Sequence, residues 1–404
     1  MRVLNKLISV ELRAIAAPSY DVEQEKSDRP GFLVPFTEMF DLTKINDIIG
    51  RDGQIENVLS ILAQDSNGNV LLVGFPGTGK TAIAAHIAKL FSQGELDSFF
   101  ITAKTDSFLN VMYLDASRLK SQGRNGAAVQ VEALIAYLKK YPDTVIFVDE
   151  AHHLGKREMV DSSPIIELMK PLLNQANSHF IFATTHEEYS KYLSAIPAMD
   201  RRWTKVSVPE TDPTLTAIIL RKHRASLLKQ DKYRLGPVPL SIPDALINQI
   251  VRLACRFLNP EQAGYNPSRS IKLLEAAIAK RTTKLALKGV RFGMIYKDLV
   301  AMFNEYLGTL RQKDEEAITG CREFILAKLT AYLDLQNEVI STGLNLVTIE
   351  DVYEALSMTS GLDYKTFESL DKKFLETLEA ELKKRIVGQD HAVSAVAAAV
   401  KRGQ

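Results

Sequence analysis

Gly74-Phe75-Pro76-Gly77-Thr78-Gly79-Lys80-Thr81 decides the fold class of this 404-residue chain. The eight residues fit the G-x-x-x-x-G-K-[ST] pattern of a phosphate-binding loop. The flanks carry as much weight as the match. The apolar run Asn69–Val73 precedes the loop and reads as a buried strand. Ile83, Ile87, Leu90 and Phe91 after it fall on one face of a helix. Glycines let a backbone wrap phosphates with its N–H groups pointing inward, and the following helix N-terminus adds partial positive charge. Gly74, Pro76, Gly77, Thr78, Gly79, Lys80 and Thr81 are therefore candidate ATP contacts. Lys80 reaches the outer phosphates, and the Thr81 hydroxyl is a candidate Mg²⁺ ligand. A chance glycine turn would not need this strand and helix around it.

Moving outward, Thr144-Val145-Ile146-Phe147-Val148 reads as a buried strand that ends in Asp149-Glu150. Acids just beyond such a strand sit at the carboxyl edge of an open α/β sheet, where ligands bind. Asp149 is the candidate to hold Mg²⁺, and Glu150 to orient or activate the attacking water. Asp149-Glu150-Ala151-His152 also spells a helicase box, but that class needs a second motor domain with paired arginines, and the downstream sequence fits another family. His152 and His153 are consecutive, so they are expected to point in different directions. With no third ligand evident, they read as surface or outer-sphere residues.

Phe180-Ile181-Phe182-Ala183 is another strand, running into Thr184-Thr185. Side chains alternate along a strand, so one of the two hydroxyls is expected to face the nucleotide; both also suit helix capping. Arg201 and Arg202 are either a salt-bridged corner or, at a subunit edge, the groups that reach a neighbour's γ-phosphate. Arg269, at the start of a helical pattern, suits a phosphate contact or an ordinary ion pair.

Val111–Leu114 completes the set of expected strands. Strands alternating with helices from Asp41 to Pro209 predict a parallel sheet covered on both faces. Residues 1–40, broken by Pro18, Pro30, Gly31 and Pro35, read as an extension or linker. From Asp212 the pattern is helical. Leu246, Ile247, Ile250, Val251 and Ala254 share a face, and Ser241 with Asp244 suggests a capping-box variant at the helix start. Residues 284–343 read as an inserted helical hairpin. The 50 basic and 49 acidic residues give a net charge of +1, which offers no overall attraction to nucleic acid or an anionic membrane. Lys280, Arg281, Lys284, Lys288 and Arg291 form the best basic cluster, read as a solvated helix face. Cys255 and Cys321 read as small buried hydrophobes in a reducing, cytoplasmic setting. Met1–Ala17 is too interrupted by charge for a signal peptide, and no apolar run is long enough to span a bilayer.

Taken together, the segments resemble the first ATPase module of the Clp-type AAA+ unfoldases. Asp47-Ile48-Ile49-Gly50-Arg51-Asp52 is similar to that module's entry, and Ala183–Tyr192 running on to Asp200-Arg201-Arg202-Trp203 is similar to its sensor-to-arginine stretch. Ile386-Val387-Gly388-Gln389-Asp390 resembles the opening of a second module. The resemblance implies an α/β fold: an AAA+ P-loop NTPase with a parallel αβα large domain (41–209), and an α-helical lid domain (210–382) bearing the insertion. Residues 383–404 would begin a second module, and the chain would be a fragment of a tandem protein. It further implies Ile48 and Ile49 lining the adenine pocket, Thr185 as the sensor, Arg201 and Arg202 as finger arginines, and a homo-hexameric ring that remodels protein substrates with ATP and Mg²⁺. Lys120–Gly126, which corresponds to the family's polypeptide-gripping pore loop, has no aromatic residue. A non-hydrolysing AAA+ scaffold and a nucleic-acid motor or loader are the alternative functions.

Overall fold

The computed structural model describes residues 22–40, 48–64, 68–93, 110–120, 123–142, 144–156, 165–173, 179–194, 196, 201–229, 234–235, 238–287, 292–312, 315–364, 367, 379–380, 382–383, 386 and 388–402. The chain divides into two compact units. One runs through Leu215 and takes back Gly264–Pro267; the other holds Thr216–Ala263 and Ser268–Gln404.

The first unit is built on a six-stranded sheet. Its strands are β1 (Leu33–Pro35), β2 (Val70–Val73), β3 (Asn110–Leu114), β4 (Thr144–Val148), β5 (His179–Thr184) and β6 (Thr204–Ser207), in the order β1-β3-β4-β5-β2-β6. All neighbours are parallel except β1, which pairs antiparallel to β3. Parallel strands need both faces covered, and alternation along the central strands supplies two cores. Leu71, Met112, Ile146, Phe180 and Phe182 point to one, and Val70, Leu72, Phe147 and Ile181 to the other. The second face is covered by α1 (Asp52–Leu62) and α2 (Lys80–Ser92), whose Val58, Leu62, Ile83 and Ile87 are buried. On the first face lies α3 (Gly123–Lys140), which contributes Val131, Leu134 and Leu138.

Two strands depart from the sequence expectation. Residues 33–35 are not linker: they add an antiparallel edge strand, with Leu33 opposite Leu114. β6 forms the other edge, and only Val206 of its four residues is buried.

The second unit is helical. Helices α4 (Pro213–Leu227), α5 (Asp244–Phe257), α6 (Ser268–Leu287) and α9 (Ile349–Ser360) pack around Leu220, Ile247, Ile250, Leu274, Ile278, Val352 and Leu356. Between α6 and α9 stand α7 (Phe292–Gln312) and α8 (Glu315–Ser341), a pair of helices packed against each other. A last helix spans Asp390–Arg402. The expected Ser241 cap is not formed. Pro243 stands at the N-cap of α5, and Ser241 is drawn instead into backbone hydrogen bonds with Asn345 and Val347. The basic cluster is not a free cationic face either. Arg281 and Lys284 both bind Asp351, which has no exposed surface, and Lys284 also meets Glu354. Lys288 and Arg291 lie outside the described residues. Among the described residues no helix is long and apolar enough to cross a membrane.

Candidate active site

The parallel strands β2, β4 and β5 are adjacent in the order β4-β5-β2, so the loops at their carboxyl ends converge. Gly74 follows β2, Asp149 follows β4 and Thr185 follows β5. The sheet thereby gathers the three motifs read from sequence.

At Gly74 the backbone is packed too tightly for any side chain. Its N–H donates to the Thr184 carbonyl (3.2 Å), and a Cβ would stand 2.3 Å from the Val208 carbonyl oxygen. Gly77 (φ 82°) and Gly79 (φ 98°) take the left-handed conformation that turns the loop into α2. Thr78 Oγ1 donates back to the Phe75 carbonyl (2.9 Å) and stiffens the turn. Lys80 Nζ donates to the carbonyls of Gly74 (2.8 Å) and Phe75 (3.0 Å). Burial lowers the pKa of this ammonium, and Asp149, Glu188 and Glu150 pull the other way.

Thr81 Oγ1 donates to Asp149 Oδ2 at 2.6 Å. Two hard oxygen donors brought together beside the phosphate loop fit Mg²⁺, which takes few protein ligands and keeps waters. Glu150 stands next in the chain with its side chain 70% exposed and its backbone at φ 49°. That conformation is uncommon for a residue with a Cβ and clusters at functional sites. The turn is pinned on one side by Glu150 N–H to Asp149 Oδ1 (2.9 Å), and on the other by Ala151 N–H to the Ala183 carbonyl (2.8 Å).

One sequence reading needs correction at this turn. His152 and His153 do not diverge: their ring centroids are 4.3 Å apart, and Glu150 is the third ligand-type residue, with one ligand atom of each lying within 4.8 Å of the others. His153 Nε2 is 3.1 Å from Glu150 Oε2. His152 is buried, and its Nδ1 lies 3.0 Å from Glu188 Oε2 without hydrogen-bond alignment. Burial lowers the His152 pKa against the opposing pull of Glu188.

Thr185 caps the short helix His186–Glu188. Its Oγ1 accepts from the Glu188 N–H (3.2 Å) and donates to Glu188 Oε2 (2.8 Å). Thr184 is buried in β5, in register with Val73. Ile48 and Ile49 are half-buried, and Ile48 packs against the core beneath α1 and α2. The arginines lie elsewhere. Arg201 and Arg202 precede β6, and the parallel register Val70↔Thr204 puts them at the amino edge of the sheet. The P-loop leaves the opposite edge, about 13 Å away along the strand. Arg201 is exposed, while the Arg202 carbonyl accepts from Asn69 Nδ2 (3.0 Å). Arg269 is buried in the first turn of α6, in the helical unit. Of Lys120–Gly126, residues 121–122 lie outside the described residues, and Gly123 already begins α3.

Three contributors escaped the sequence reading. Arg51 is buried, and its Nη2 donates to the carbonyls of Thr78 (2.9 Å) and Pro209 (2.7 Å), bracing the phosphate loop from behind. Tyr265 stacks on Phe75 (centroids 4.2 Å, 18° between planes), and its N–H donates to the Pro76 carbonyl (2.9 Å). His186 flanks the same Phe75 ring at 5.3 Å. An arginine after a glycine, or a tyrosine nearly two hundred residues downstream, carries no local signal of reaching this loop.

Residues 70–209 match the family model "ATPase family associated with various cellular activities (AAA)". Among curated relatives, the chloroplastic chaperone protein ClpC1 of Oryza sativa subsp. japonica is 27% identical over 380 residues, 91% of this chain and 40% of that protein. The chloroplastic ATP-dependent Clp protease ATP-binding subunit ClpA homolog CD4B of Solanum lycopersicum is 28% identical over 381 residues, 91% of this chain and 39% of that protein. The chain thus spans about two fifths of the length of these relatives. Among solved structures, the S. cerevisiae Hsp104–ADP complex superposes with a TM-score of 0.61 at 22% identity, covering 92% of this chain and 61% of that one. That likeness concerns the fold.

Proposed function

We propose that this chain, an AAA+ ATPase of the Clp family, binds ATP with Mg²⁺ and hydrolyses it as one module of a ring that remodels protein substrates. The observation that carries the reading is the meeting of three loop ends at one sheet edge, with Thr81 already bonded to Asp149. Lys80 and the N–H groups at the start of α2 hold the phosphates, as fixed dipoles that need no reorganisation during reaction. Ile48 and Ile49 face the base. Thr81 and Asp149 hold Mg²⁺, which neutralises charge on the transferred phosphoryl group. Glu150 orients and activates water, and Thr185 reports on the γ-phosphate, releasing Glu188 as it does so.

Arg201 and Arg202 sit at the far edge of the sheet from their own phosphate loop, so we assign them to the γ-phosphate of a neighbouring copy. Arg269 is assigned to a phosphate contact from the lid. The site is then complete only in an assembly, which we take to be a homo-hexamer. Cys255 and Cys321, neither in a disulfide, suit a reducing, cytoplasmic compartment. No nucleic acid is expected as a partner: the net charge is only +1, and two residues of the best basic cluster, Arg281 and Lys284, are engaged by Asp351 and Glu354.

The test is ATP turnover measured against protein concentration, with light scattering for mass in parallel. Turnover per subunit should rise with assembly and collapse in Arg201→Ala. Lys80→Ala should abolish nucleotide binding; unchanged affinity in that variant overturns the site assignment.

A further inference from the structure

We propose that Glu150, His152 and His153 form a binding site for a transition-metal ion of the zinc class, and that an ion held there takes Glu150 out of use. The inhibitory half rests on the reading of Glu150 as the water-orienting carboxylate; the binding half does not.

The geometry is a built one. One ligand atom from each of the three residues lies within 4.8 Å of the other two, and the closest pair, His153 Nε2 and Glu150 Oε2, is 3.1 Å apart. Two ligands on a tetrahedral zinc ion, each at about 2.0–2.1 Å, stand about 3.4 Å apart; the His153–Glu150 pair is already near that separation, and the others, all within 4.8 Å, need to close by at most about 1.4 Å. The residues that must move are free to do so. The side chains of Glu150 and His153 are 70% and 38% exposed, whereas His152 is buried and fixed. The His153 N–H donates to the Glu150 carbonyl (2.9 Å), and this turn brings the two side chains within reach of one ion. Glu188 Oε2 stands 3.0 Å from His152 Nδ1, outside the three-residue cluster. A turn of that carboxylate would let it accept the His152 Nδ1–H, as the outer partner of a metal-binding imidazole does.

Donor chemistry separates this site from the magnesium site beside it. Two imidazoles and one carboxylate suit zinc and its neighbours, while the Thr81–Asp149 oxygen pair suits magnesium. Three protein ligands leave a fourth position for water. Glu150 with a cation on its carboxylate can no longer accept the proton of an attacking water.

The experiment titrates the full chain with Co²⁺, whose visible absorption reports low-coordinate nitrogen and oxygen ligation, and measures ATP turnover against Zn²⁺ in parallel. One Co²⁺ per chain is expected, displaced by Zn²⁺ but not by Mg²⁺. Binding should weaken by about tenfold or more in His153→Ala and in Glu150→Gln. Zn²⁺ should inhibit turnover of the wild type, reversibly with a chelator, and its half-inhibiting concentration should rise by about tenfold in His153→Gln. Absent binding, or binding that His153→Ala leaves intact, overturns the site. Binding without inhibition overturns only the inhibitory half. If turnover is absent altogether, the hydrolysis reading fails while the Co²⁺ titration still judges the site.

Discussion

Replacing Arg51 by methionine should loosen the phosphate loop without replacing any residue proposed to meet nucleotide. The side chain is 5% exposed, and it makes two charge-assisted hydrogen bonds to backbone carbonyls, 2.9 Å to Thr78 and 2.7 Å to Pro209. Bonds of this kind contribute about 1.5–3 kcal/mol each. Methionine keeps much of the packing volume but leaves both carbonyls without their donor, so a loss of about 3 kcal/mol is expected, toward the lower end of the summed range. The chain has two units, and a whole-chain signal would blend them. Trp203 solves this: it is the only tryptophan, it is buried in the sheet unit, and it packs edge-on against Phe182. A urea titration followed by Trp203 emission reads the unit that holds Arg51. With a slope of about 2 kcal/mol per molar, the midpoint should fall by roughly 1.5 M. Nucleotide affinity should weaken by about tenfold, because Thr78 lies within the loop that cradles phosphate. Arg51→Lys keeps the charge but cannot span both carbonyls, so it should fall between. A midpoint within about 0.2 M of wild type for Arg51→Met would falsify the bracing role.

Gly74→Ala should remove nucleotide binding, by about a hundredfold or more, since the new methyl would meet the Val208 carbonyl at 2.3 Å and backbone cannot yield cheaply; calorimetric titration with ADP checks it. Glu150→Gln should lower turnover by about a hundredfold or more while leaving ATP affinity near wild type; equal loss of binding would remove Glu150 from the water-activating role. Gly155→Ala should destabilise the sheet unit by about 1–3 kcal/mol, because its Cβ would stand 2.7 Å from Leu193 and 2.8 Å from the Tyr192 carbonyl; an unshifted Trp203 transition counts against it. Asp351→Ala should cost the helical unit about 3–5 kcal/mol by stranding Arg281 beside an empty site. Loss of far-UV helical signal with the Trp203 transition unmoved would place that effect in the helical unit.

The four central strands were legible because both their faces are buried, so each is an unbroken apolar run. The two edges were not. Leu33-Val34-Pro35 is three residues set among prolines, and its strand state comes from pairing with Leu114, Tyr113 and Met112 rather than from its own pattern. Thr204-Lys205-Val206-Ser207 is polar because an edge strand faces water on most sides. Ser241 has the chemistry of a cap, but a longer-range partner, Asn345, took its N–H. In the site, Thr81 and Asp149 were found by motif, because phosphate and metal chemistry fixes residue types at short spacing. The closeness of His152 and His153 was not legible, because consecutive residues are expected to point apart. The strained turn at Glu150 and the packing of the two rings bring their atoms together regardless. Arg51 and Tyr265 act through tertiary contact, which no local window displays.

The hairpin of α7 and α8 stands between α6 and α9 in the helical unit. Ser241 closes the return by bonding Asn345 and Val347, and the core beneath is made by α4, α5, α6 and α9. A small cluster around Val339, with Tyr332, Leu335 and Leu344, joins the base of the hairpin to that core through Leu344. The hairpin's longer helix, 27 residues, reaches about 40 Å. Whole turns added to or removed from its tip should therefore leave the base in place, because the return stays where the Ser241 bridge fixes it. In engineering terms the hairpin is an interchangeable arm, a position where a tag, a fluorescent reporter or a foreign recognition helix can be spliced at little expense to the folding of the body that bears it.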